Sequence, residues 1–300
     1  MSVLVVGSVA LDTVETPFGK VTDAIGGSAL FFSAAASYFT PVNVVAVVGE
    51  DFPQQEIAFL KERRVNFDGL EVRAGKTFRW GGKYDFDLNQ RETLFTHLNV
   101  FEDFVPQIPE HYRNTPFVFL ANIHPDLQWN VLQAMQHPRL VVLDTMNFWI
   151  ERTPTSLQRV LQAIDILIIN DSEVRQLAQT TNLFVGAKKI QQMGPETLVI
   201  KKGEHGALLV DKDRYFWAPA FPLMEVVDPT GAGDTFAGGF VGYLARANDF
   251  SSPQLRKAVI YGSTLASFCV ENFSLNGLKQ LSQDAIDQRY QQFLELTRSE

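Results

Sequence analysis

The most informative stretch of this chain is Val226-Val-Asp-Pro-Thr-Gly-Ala-Gly-Asp-Thr-Phe-Ala-Gly-Gly-Phe240. We predict that it follows a strand and begins a helix. Gly231, Ala232 and Gly233 have little or no side chain, so a ligand can approach their backbone, and the helix N-terminus would offer unpaired N–H groups to an anion. Asp234 lies beside this anion site, which suits a carboxylate that accepts a proton while the backbone holds developing negative charge.

A purely structural interpretation of the same stretch stays open at this point. Asp228 would cap the helix, the glycines would allow tight packing, and Asp234 would be a first-turn carboxylate that the helix dipole favours. The surrounding sequence has to decide between the two interpretations.

Short apolar runs alternate with helical patterns along the rest of the chain. The runs are rich in Val, Ile and Leu and lack polar alternation, as strands buried on both faces of a sheet do. This β-α-β-α order predicts a largely parallel sheet covered by helices on both faces. The predicted strands are Val3–Val9, Val42–Val48, Phe117–Leu120, Leu140–Leu143, Ile166–Ile169, Thr197–Ile200 and one that ends at Val227. The predicted helices cover about 28–39, 53–64, 126–136, 155–163, 172–179, 184–193, 231–246, 253–271 and 283–297.

Two regions, residues 12–24 and about 72–100, show polar and apolar alternation without a helical pattern. They predict exposed antiparallel strands, with Gly81-Gly82 as a turn. A small sheet inserted into an α/β domain often serves as a lid or a dimer surface. No Pro-, Gly- or Ser-rich linker divides the chain, so we predict one main domain with such a lid.

The composition indicates which kinds of partner and which cellular compartment to expect. The chain has 300 residues and a net charge of -8, which disfavours nucleic acid as a partner because nucleic-acid binders normally carry a basic patch. Cys269 is the single cysteine, which suits a reducing cytoplasm. Residues 25–49 carry no charge, but Gly26-Gly27 and Pro41 divide them into a helix, a turn and a strand. We therefore expect a cytoplasmic protein without a membrane span.

The stretch 226–240 resembles the signature of the ribokinase (PfkB-type) family of carbohydrate and nucleoside kinases, and other family landmarks follow in order over nearly the whole chain. Gly7-Ser-Val-Ala-Leu-Asp12 resembles the first strand with its closing aspartate, and Gly26-Gly27 resembles the di-glycine that opens the next helix. Asn170-Asp-Ser-Glu173 and Val199-Ile-Lys-Lys-Gly-Glu-His-Gly206 resemble the elements beside magnesium and the nucleotide.

The resemblance implies a single ribokinase-like kinase domain over residues 1–300. Its fold would be three-layer α/β/α, with a mainly parallel central sheet and a small β-sheet lid. Its activity would be ATP-dependent phosphorylation of a small molecule, with Mg2+ and a monovalent cation such as K+ as further ligands. Dimerisation through the lid is implied in the same way.

The resemblance also implies roles for the residues of the signature. Asp234 would take the proton from the acceptor hydroxyl, and the backbone of Gly231, Ala232 and Gly233 would form an anion hole for the transferred phosphoryl group. Asp228 would support the loop or a nearby monovalent-cation site.

Further residues are implied to contact the nucleotide and its metal. Asn170 and Glu173 would organise magnesium and the phosphates, although they could equally cap and begin the following helix. Asp144-Thr-Met-Asn147 looks like a variant that some sugar kinases place near the phosphates. The remaining implied nucleotide contacts are Lys201, Gly203, Gly206 and Thr230.

The acceptor side departs from the family pattern. Asp12, Gly26 and Gly27 would contact the acceptor, but Phe31 stands where many members have a substrate-binding asparagine. Phe31 would either stack on a ring of the acceptor or belong to the core. Asn122 follows a strand at a position where relatives often contact substrate.

The predicted lid adds a second set of candidates. Arg79 would read a phosphate or carboxylate on the acceptor, or simply be solvated. Trp80, Tyr84 and Arg91 are its other candidates.

Three functions remain open from the sequence. The leading hypothesis is a kinase that phosphorylates a primary hydroxyl of a small sugar or sugar-like acceptor. A nucleoside kinase on the same fold is the closest alternative, which the aromatic residues Phe31, Phe32 and Trp80 support. A catalytically idle ligand-binding relative is the third, and the retained Asp234 argues against it.

Overall fold

A nine-stranded sheet forms the centre of the protein, in a computed structural model that describes residues 1–296 and 298. Its strand order is β13-β12-β11-β10-β9-β8-β1-β4-β5. The strands from β11 to β5 run parallel, and β12 is antiparallel to both of its neighbours, β11 and β13. The strands are β1 (Val3–Val6), β4 (Val42–Gly49), β5 (Val65–Arg73), β8 (Phe117–Leu120), β9 (Leu140–Asp144), β10 (Ile166–Asn170), β11 (Thr197–Lys201), β12 (Ala207–Asp211) and β13 (Arg214–Ala218).

Helices cover both faces of this sheet, because its strands carry apolar side chains on both sides. Val3 and Val5 of β1 belong to one hydrophobic core, whereas Leu4 and Val6 belong to the other. On the first face pack α1 (Ser28–Ala36), α2 (Ala58–Glu62), α8 (Ala232–Ala247), α9 (Ser252–Cys269), α10 (Asn276–Lys279) and α11 (Gln283–Leu296). On the second pack α3 (Pro125–Ala134), α4 (Asn147–Arg152), α5 (Pro154–Leu161), α6 (Asp171–Ala178) and α7 (Leu183–Gln191). This is the predicted three-layer α/β/α architecture.

Most of the predicted buried strands form, with small differences at their ends. The first strand is shorter than predicted, since β1 ends at Val6. The predicted last helix matches α11 up to Leu296, and its predicted end at 297 lies outside the described residues. No helix among the described residues has the length and apolarity that crossing a bilayer would need.

The predicted strand ending at Val227 is wrong. Regular strand structure stops at Ala218, and residues 219–230 run as an irregular segment toward α8. The N–H groups of Val227 and Asp228 both donate to the Val270 carbonyl at the end of α9, at 2.8 and 3.2 Å. The segment is therefore bonded to the end of a helix and not to a neighbouring strand.

A second sheet of four strands, which we call the lid sheet, lies apart from the first, in the order β3-β2-β6-β7. Its strands are β2 (Ala10–Thr16), β3 (Gly19–Gly26), β6 (Phe78–Tyr84) and β7 (Arg91–His97). The two outer pairs are antiparallel as predicted, but β2 and β6 pair in parallel.

The predicted turn at Gly81-Gly82 is also wrong, since both glycines lie inside the continuous strand β6. The register with β7 shifts between them, as in a β-bulge. The ring of Phe95 covers the position where a Gly81 side chain would lie, and the ring of Trp80 covers that of Gly82. The two glycines thus make room for aromatic rings rather than reversing the chain.

Helices α1 and α8 pack unusually closely, because glycines of α8 face the backbone of α1. A Cβ atom added to Gly238 would overlap the carbonyl oxygen of Phe32, and one added to Gly242 would lie 2.9 Å from the Cα of Ala36. This contact sets the height of α8, and hence of its N-terminus, over the sheet.

We expect Gly238→Ala to destabilise the protein by about 1–3 kcal/mol, as overpacking of a core does. The direction is informative, because glycine to alanine inside a helix otherwise stabilises by about 1 kcal/mol. Urea unfolding at 25 °C measures the change. Gly186→Ala in α7 is the matched control, since its nearest obstacle is the Cγ1 methyl group of Val174 at 2.9 Å rather than backbone. A loss of stability at Gly186 equal to that at Gly238 would contradict the proposed backbone clash.

Candidate active site

Polar groups converge where the parallel strands end, at the carboxyl edge of the large sheet. Asp144 ends β9, Asn170 ends β10 and Lys201 ends β11. The first turn of α8, with Asp234, reaches the same edge and contacts the Lys201 side chain through Gly233. This edge is the usual ligand site of open α/β sheets. We call the space between Asp12, Asp144, Lys201 and Asp234 the cleft.

The loop before α8 is held by a buried carboxylate. Asp228 is 1% exposed, and its Oδ1 and Oδ2 accept hydrogen bonds from the N–H groups of Thr230 at 2.8 Å and Ser274 at 3.3 Å. Burial raises the pKa of Asp228, and these donors oppose the rise. The alternative that Asp228 caps α8 is wrong, because Gly231 is the N-cap residue and no side chain caps the helix.

The absence of a side-chain cap leaves backbone donors open at the start of α8. Gly231 adopts the left-handed conformation, with φ 76°, which favours glycine. The Ala232 N–H donates to the Pro229 carbonyl at 3.2 Å, whereas the N–H groups of Gly231 and Gly233 have no partner within the described part of the chain. Of the three predicted anion-hole residues, two therefore keep a free donor.

Asp234 lies in the first turn of α8, beside these donors, and is partly exposed. Desolvation by the surrounding protein, and then the nearby Asp144 carboxylate, raise its pKa to about 7. Lys201 and Arg91 act in the opposite direction. A carboxylate that titrates near neutral pH is well matched to accepting a proton from a hydroxyl group.

Lys201 provides a positive charge in the cleft. Its Nζ lies 3.2 Å from Asp144 Oδ2 and 3.5 Å from Oδ1, with 20% of the lysine side chain exposed. Burial lowers the pKa of Lys201, but Asp144, Glu173 and Asp234 outweigh it, so the pKa is raised and the amine stays charged.

Asn170 and Glu173 form a capping box at the start of α6. The Asn170 Oδ1 accepts from the Glu173 N–H at 2.8 Å, and the Glu173 Oε2 accepts from the Asn170 N–H at 3.0 Å. Burial raises the pKa of Glu173 to about 7, and the nearby Lys201 opposes this rise. The helix-capping alternative thus holds geometrically, and it also fixes a buried carboxylate beside Lys201.

Among residues 1–296 and 298, no group of three or more His, Cys, Asp or Glu side chains is arranged to bind a metal ion. Mg2+ in nucleotide sites is commonly held by one or two carboxylates together with phosphates and water. The buried carboxylates of Asp144 and Glu173 fit that mode, in which the nucleotide supplies most of the ligands.

The predicted acceptor residues Asp12, Gly26 and Gly27 lie close together, in the lid sheet and at the start of α1. Asp12 lies in the lid strand β2 rather than at the end of the first strand, and its carboxylate packs directly against the Cα of Gly26. Burial, and then the Asp228 carboxylate, raise the pKa of Asp12 to about 7, opposed by a hydrogen bond from the Gly27 backbone. Gly27 has φ 92°, and a Cβ there would lie 2.5 Å from the Ser8 carbonyl oxygen.

Phe31 lies beneath the loop that would hold the phosphoryl group. It is 2% exposed, and its ring occupies the space where a Gly231 side chain would lie. It also lines a narrow gap together with Asp12, Asp228 and Thr230. Phe31 therefore belongs to the hydrophobic core, and one part of its ring borders the gap beside Asp12.

The predicted role of Arg79 disagrees with its position. Its guanidinium forms ion pairs with Asp23 at 3.1 Å and Asp51 at 2.8 Å. These two carboxylates neutralise the charge that was predicted to bind the acceptor. The lid cation that interacts with Asp12 and Asp234 is Arg91, which also lies 5.1 Å from the centre of the Trp80 ring. Only the register of β6 with β7, which pairs Tyr84 with Arg91, distinguishes the two arginines.

The lid sheet contacts both ends of the cleft. The Thr230 hydroxyl donates to the Tyr84 hydroxyl at 3.3 Å. At the tip of the β6–β7 hairpin, the Asn89 side chain packs on Gly203, in the turn after β11. Gly203 and Gly206 have φ values of 53° and 87°, which explains the two glycines of that turn.

Beside this turn lies an open groove of about 700 Å³. Lys202, His205 and the half-exposed indole of Trp217 line it, next to the end of α11.

The Asn122 side chain is already paired within the protein. Its Oδ1 accepts from the Trp149 indole N–H at 2.8 Å, and its Nδ2 donates to the Met146 sulfur at 3.1 Å. Trp149 packs against the rings of His124 and Phe148, at 5.1 and 4.8 Å between centres. Asn122 thus anchors an aromatic group at the sheet edge, which the sequence alone did not suggest.

Gln128 in α3 is a second residue that sequence reasoning missed. It is fully buried, and its Nε2 donates to the carbonyl oxygens of Ala121 at 2.9 Å and Asp144 at 3.2 Å. It therefore joins the ends of β8 and β9. A polar residue on the buried face of α3 was the available signal.

Comparisons with known proteins agree with this geometry. The sequence profile of the pfkB family carbohydrate kinases matches residues 2–280. The chain therefore belongs to this family, whose members are phosphotransferases with a hydroxyl acceptor, and the predicted family and reaction class are confirmed. ATP is the phosphoryl donor of these kinases.

The similar proteins include both nucleoside kinases and a sugar kinase. Cytidine kinase of Thermococcus kodakarensis is 27% identical over 253 residues, which cover 82% of this chain and 89% of the relative. The nucleoside kinase structure of Methanocaldococcus jannaschii has a TM-score of 0.78, at 21% identity over 97% of this chain and 98% of its own. Arabidopsis thaliana ribokinase, solved with ribose and ATP, has a TM-score of 0.76, at 21% identity over 96% of this chain and 98% of its own. The predicted ribokinase-like fold is confirmed.

The raised pKa of Asp12 predicts a pH-dependent cost to folding. Because the native state keeps a proton that the unfolded chain releases above about pH 4, stability falls as pH rises toward 7. Asp12→Asn removes this loss, which accumulates at about 1.4 kcal/mol per pH unit from pH 5 up to the native pKa near 7 and then stops. Relative to wild type the variant should therefore gain about 3 kcal/mol between pH 5 and pH 8. Urea unfolding at both pH values measures the gain. The exposed control Asp103→Asn should show none, and an equal effect of Asp12→Asn at both pH values would contradict the prediction.

Proposed function

We propose that this protein transfers the γ-phosphoryl group of ATP to a hydroxyl, most simply a primary one, of a small sugar or sugar-like acceptor. One observation carries the proposal: Asp234, with its pKa near 7, lies beside the free N–H groups of Gly231 and Gly233. A proton acceptor and an anion hole thus occupy the same turn of α8. Asp12, close enough to interact with Asp234, would hold the acceptor hydroxyls.

The proposed step needs no covalent enzyme intermediate. Asp234 takes the proton of the acceptor hydroxyl as its oxygen forms a bond to the γ-phosphorus. The bond from that phosphorus to the β–γ bridging oxygen breaks, and its electron pair leaves with ADP. The N–H groups of Gly231 and Gly233 hold the charge on the transferred group. Such a reaction depends on positioning and electrostatics, which the rigid start of α8 supplies.

Cations complete the proposal. Mg2+ would arrive with ATP and neutralise phosphate charge, and Glu173 with Asn170 would approach it through water. A monovalent cation such as K+ beside Asp228 stays a prediction. Both Asp228 oxygens already accept backbone N–H groups, which supports the loop-holding role first.

The lid sheet would close over both substrates and exclude water, which limits wasteful hydrolysis of ATP. Its contacts through Tyr84 to Thr230 and through Asn89 to Gly203 support this role. Lys201, Gly203 and Gly206 would line the bound nucleotide, which would extend toward the open groove at Trp217. A dimer formed through the lid, and a cytoplasmic location, also stay predictions.

A nucleoside acceptor is the second candidate. The similarity to a cytidine kinase over 82% of the chain favours it. The aromatic group of His124, Phe148 and Trp149 at the sheet edge offers surface on which a base would stack, since Phe148 is 49% exposed.

The acceptor class is tested by ADP release and 31P NMR across ribose, hexoses, sugar acids and the common nucleosides, each with Mg-ATP. A phosphorylated sugar with kcat/KM above every nucleoside supports the first candidate, and the reverse order supports the second. Absence of any phosphorylated product, with ATP still bound, would support an idle ligand-binding relative.

Asp234→Asn should lower kcat by about 10²- to 10⁴-fold, the range for loss of a general base. ATP affinity, measured by calorimetry, and the circular dichroism spectrum should stay close to wild type, because the backbone of α8 is unchanged. Asp213→Asn, 96% exposed in its side chain, is the control and should retain activity. A near-normal kcat for Asp234→Asn would refute its role as the base.

The pH profile gives an independent test of the same role. Since Asp234 must be deprotonated to act, kcat/KM should rise with pH and level off above about 7. Initial rates between pH 5 and pH 9 at saturating Mg-ATP measure the profile. A rate independent of pH across that interval would contradict a base with this pKa.

A further inference from the structure

We propose that Lys201 is a catalytic residue whose ammonium group contacts the transferred phosphoryl group, and that Asp144 is the positioning residue that aims it. The inference deepens the proposed function and rests on it. It gives Lys201 a more specific role than general contact with the nucleotide, and it assigns a function to an ion pair at the carboxyl edge of the sheet.

The first argument is the distance from Lys201 to the proposed anion hole. The Lys201 Nζ lies 3.0 Å from the position that a Gly233 Cβ atom would occupy. The ammonium group therefore lies beside residue 233, one of the two residues of the proposed anion hole whose N–H has no partner in the described chain. Any side chain at residue 233 would press on Nζ, so this glycine keeps the backbone and the lysine within reach of one ligand.

The second argument is the hydrogen-bonding capacity of the ammonium group. It has three N–H donors. Asp144 is the only carboxylate within salt-bridge distance of Nζ in the described chain, at 3.2 and 3.5 Å from its two oxygens. Glu173 and Asp234 influence Lys201 through their charges and lie beyond salt-bridge distance of Nζ. At least one donor thus remains for an oxygen of a ligand in the cleft.

The third argument is the rigidity of Asp144. It is 5% exposed, and its Oδ1 accepts from the N–H of Thr145 at 2.9 Å. Its carbonyl oxygen accepts from the buried Gln128 at 3.2 Å. A carboxylate fixed at both its side chain and its backbone holds its lysine partner in one orientation, which is what electrostatic stabilisation of a transition state requires.

The neighbouring lysine shows that the orientation is specific. Lys202 follows Lys201 directly, and successive residues at a strand end point to opposite sides. Its Nζ lies 3.5 Å from Asp171 and 5.7 Å from the centre of the Trp217 ring, in the open groove. Only Lys201 of the two faces the cleft.

In the proposed step Lys201 stays protonated throughout and donates a hydrogen bond to a γ-phosphoryl oxygen. The acceptor proton goes to Asp234, and the bond changes are those of the proposed transfer. The lysine therefore adds fixed positive charge where the phosphoryl group passes, beside the N–H groups of Gly231 and Gly233.

The test uses Lys201→Met in the full-length protein, which keeps chain length and removes the charge. We expect kcat to fall by about 100-fold, as for loss of one donor to a developing charge, with the KM of the acceptor changed little. By calorimetry, we expect wild type to bind a β,γ-methylene ATP analogue more tightly than ADP and the variant to lose this preference, because the lysine would contact the γ-phosphoryl group. Lys188→Met removes a different ion-paired lysine, bonded to Asp213 at 2.7 Å, and is the control.

A second readout separates the role in the cleft from a merely structural one. Asp234 is influenced by Asp144, Lys201 and the lid residue Arg91. Loss of the positive charge in Lys201→Met should move the rise of kcat/KM to higher pH, whereas Asp144→Asn should move it to lower pH. Opposite shifts support the proposal, and shifts of the same sign or none would overturn it.

Two further measurements cover the cases in which the variant is unstable or no acceptor is found. If Lys201→Met is unstable because Asp144 is left unpaired, the double variant Lys201→Met with Asp144→Asn removes both charges, and it should fold but turn over slowly. If wild type phosphorylates no acceptor, the proposed function fails, while the comparison of the ATP analogue with ADP still tests the lysine. A kcat within about twofold of wild type, with the analogue preference retained, would overturn the proposal.

Discussion

The ion pair between Lys201 and Asp144 allows three carboxylates to share one end of the sheet. Asp144, Glu173 and Asp234 come from a strand and two helices, and repulsion by the Asp144 carboxylate adds to burial in raising the pKa of Asp234 and of Glu173. One ammonium group placed among them offsets that repulsion. Because a buried charge that loses its partner is strongly destabilising, the strand ends and the start of α8 have to be assembled together. The cleft therefore keeps its shape only while the charges of Lys201 and the surrounding carboxylates balance.

Much of the fold was predictable, because strands buried on both faces appear as unbroken apolar runs such as Ile166–Ile169. The errors lie where long-range contacts decide. The segment before Asp228 has strand-like composition, yet its N–H groups bond to Val270 at the end of a helix. Gly81-Gly82 has the composition of a turn, yet the rings of Phe95 and Trp80 cover both glycines within one strand. Local composition cannot report a partner that lies far along the chain.

In the candidate site, too, features set by local sequence were predictable and features set by long-range contacts were not. Asp234 and the residues around it are adjacent in sequence, so their pattern could be recognised directly. The partner of Lys201 lies 57 residues away, and only the order of the strands brings the two together. Arg79 and Arg91 look equivalent in sequence, but strand register directs one to Asp23 and Asp51 and the other to the cleft. Gln128 and Trp149 act through neighbours that no local motif reveals.

Phe31 has a consequence for how this protein can evolve. Its ring supports Gly231 from below and at the same time lines the narrow gap beside Asp12. A smaller residue would enlarge the proposed acceptor side, but it would also remove the support beneath Gly231, whose backbone we propose to hold the phosphoryl group. In the proposed mechanism, one side chain would therefore influence both the acceptor preference and the catalytic rate. A lineage that changes its acceptor has to do so at other walls of the cleft, or repack the loop in the same step.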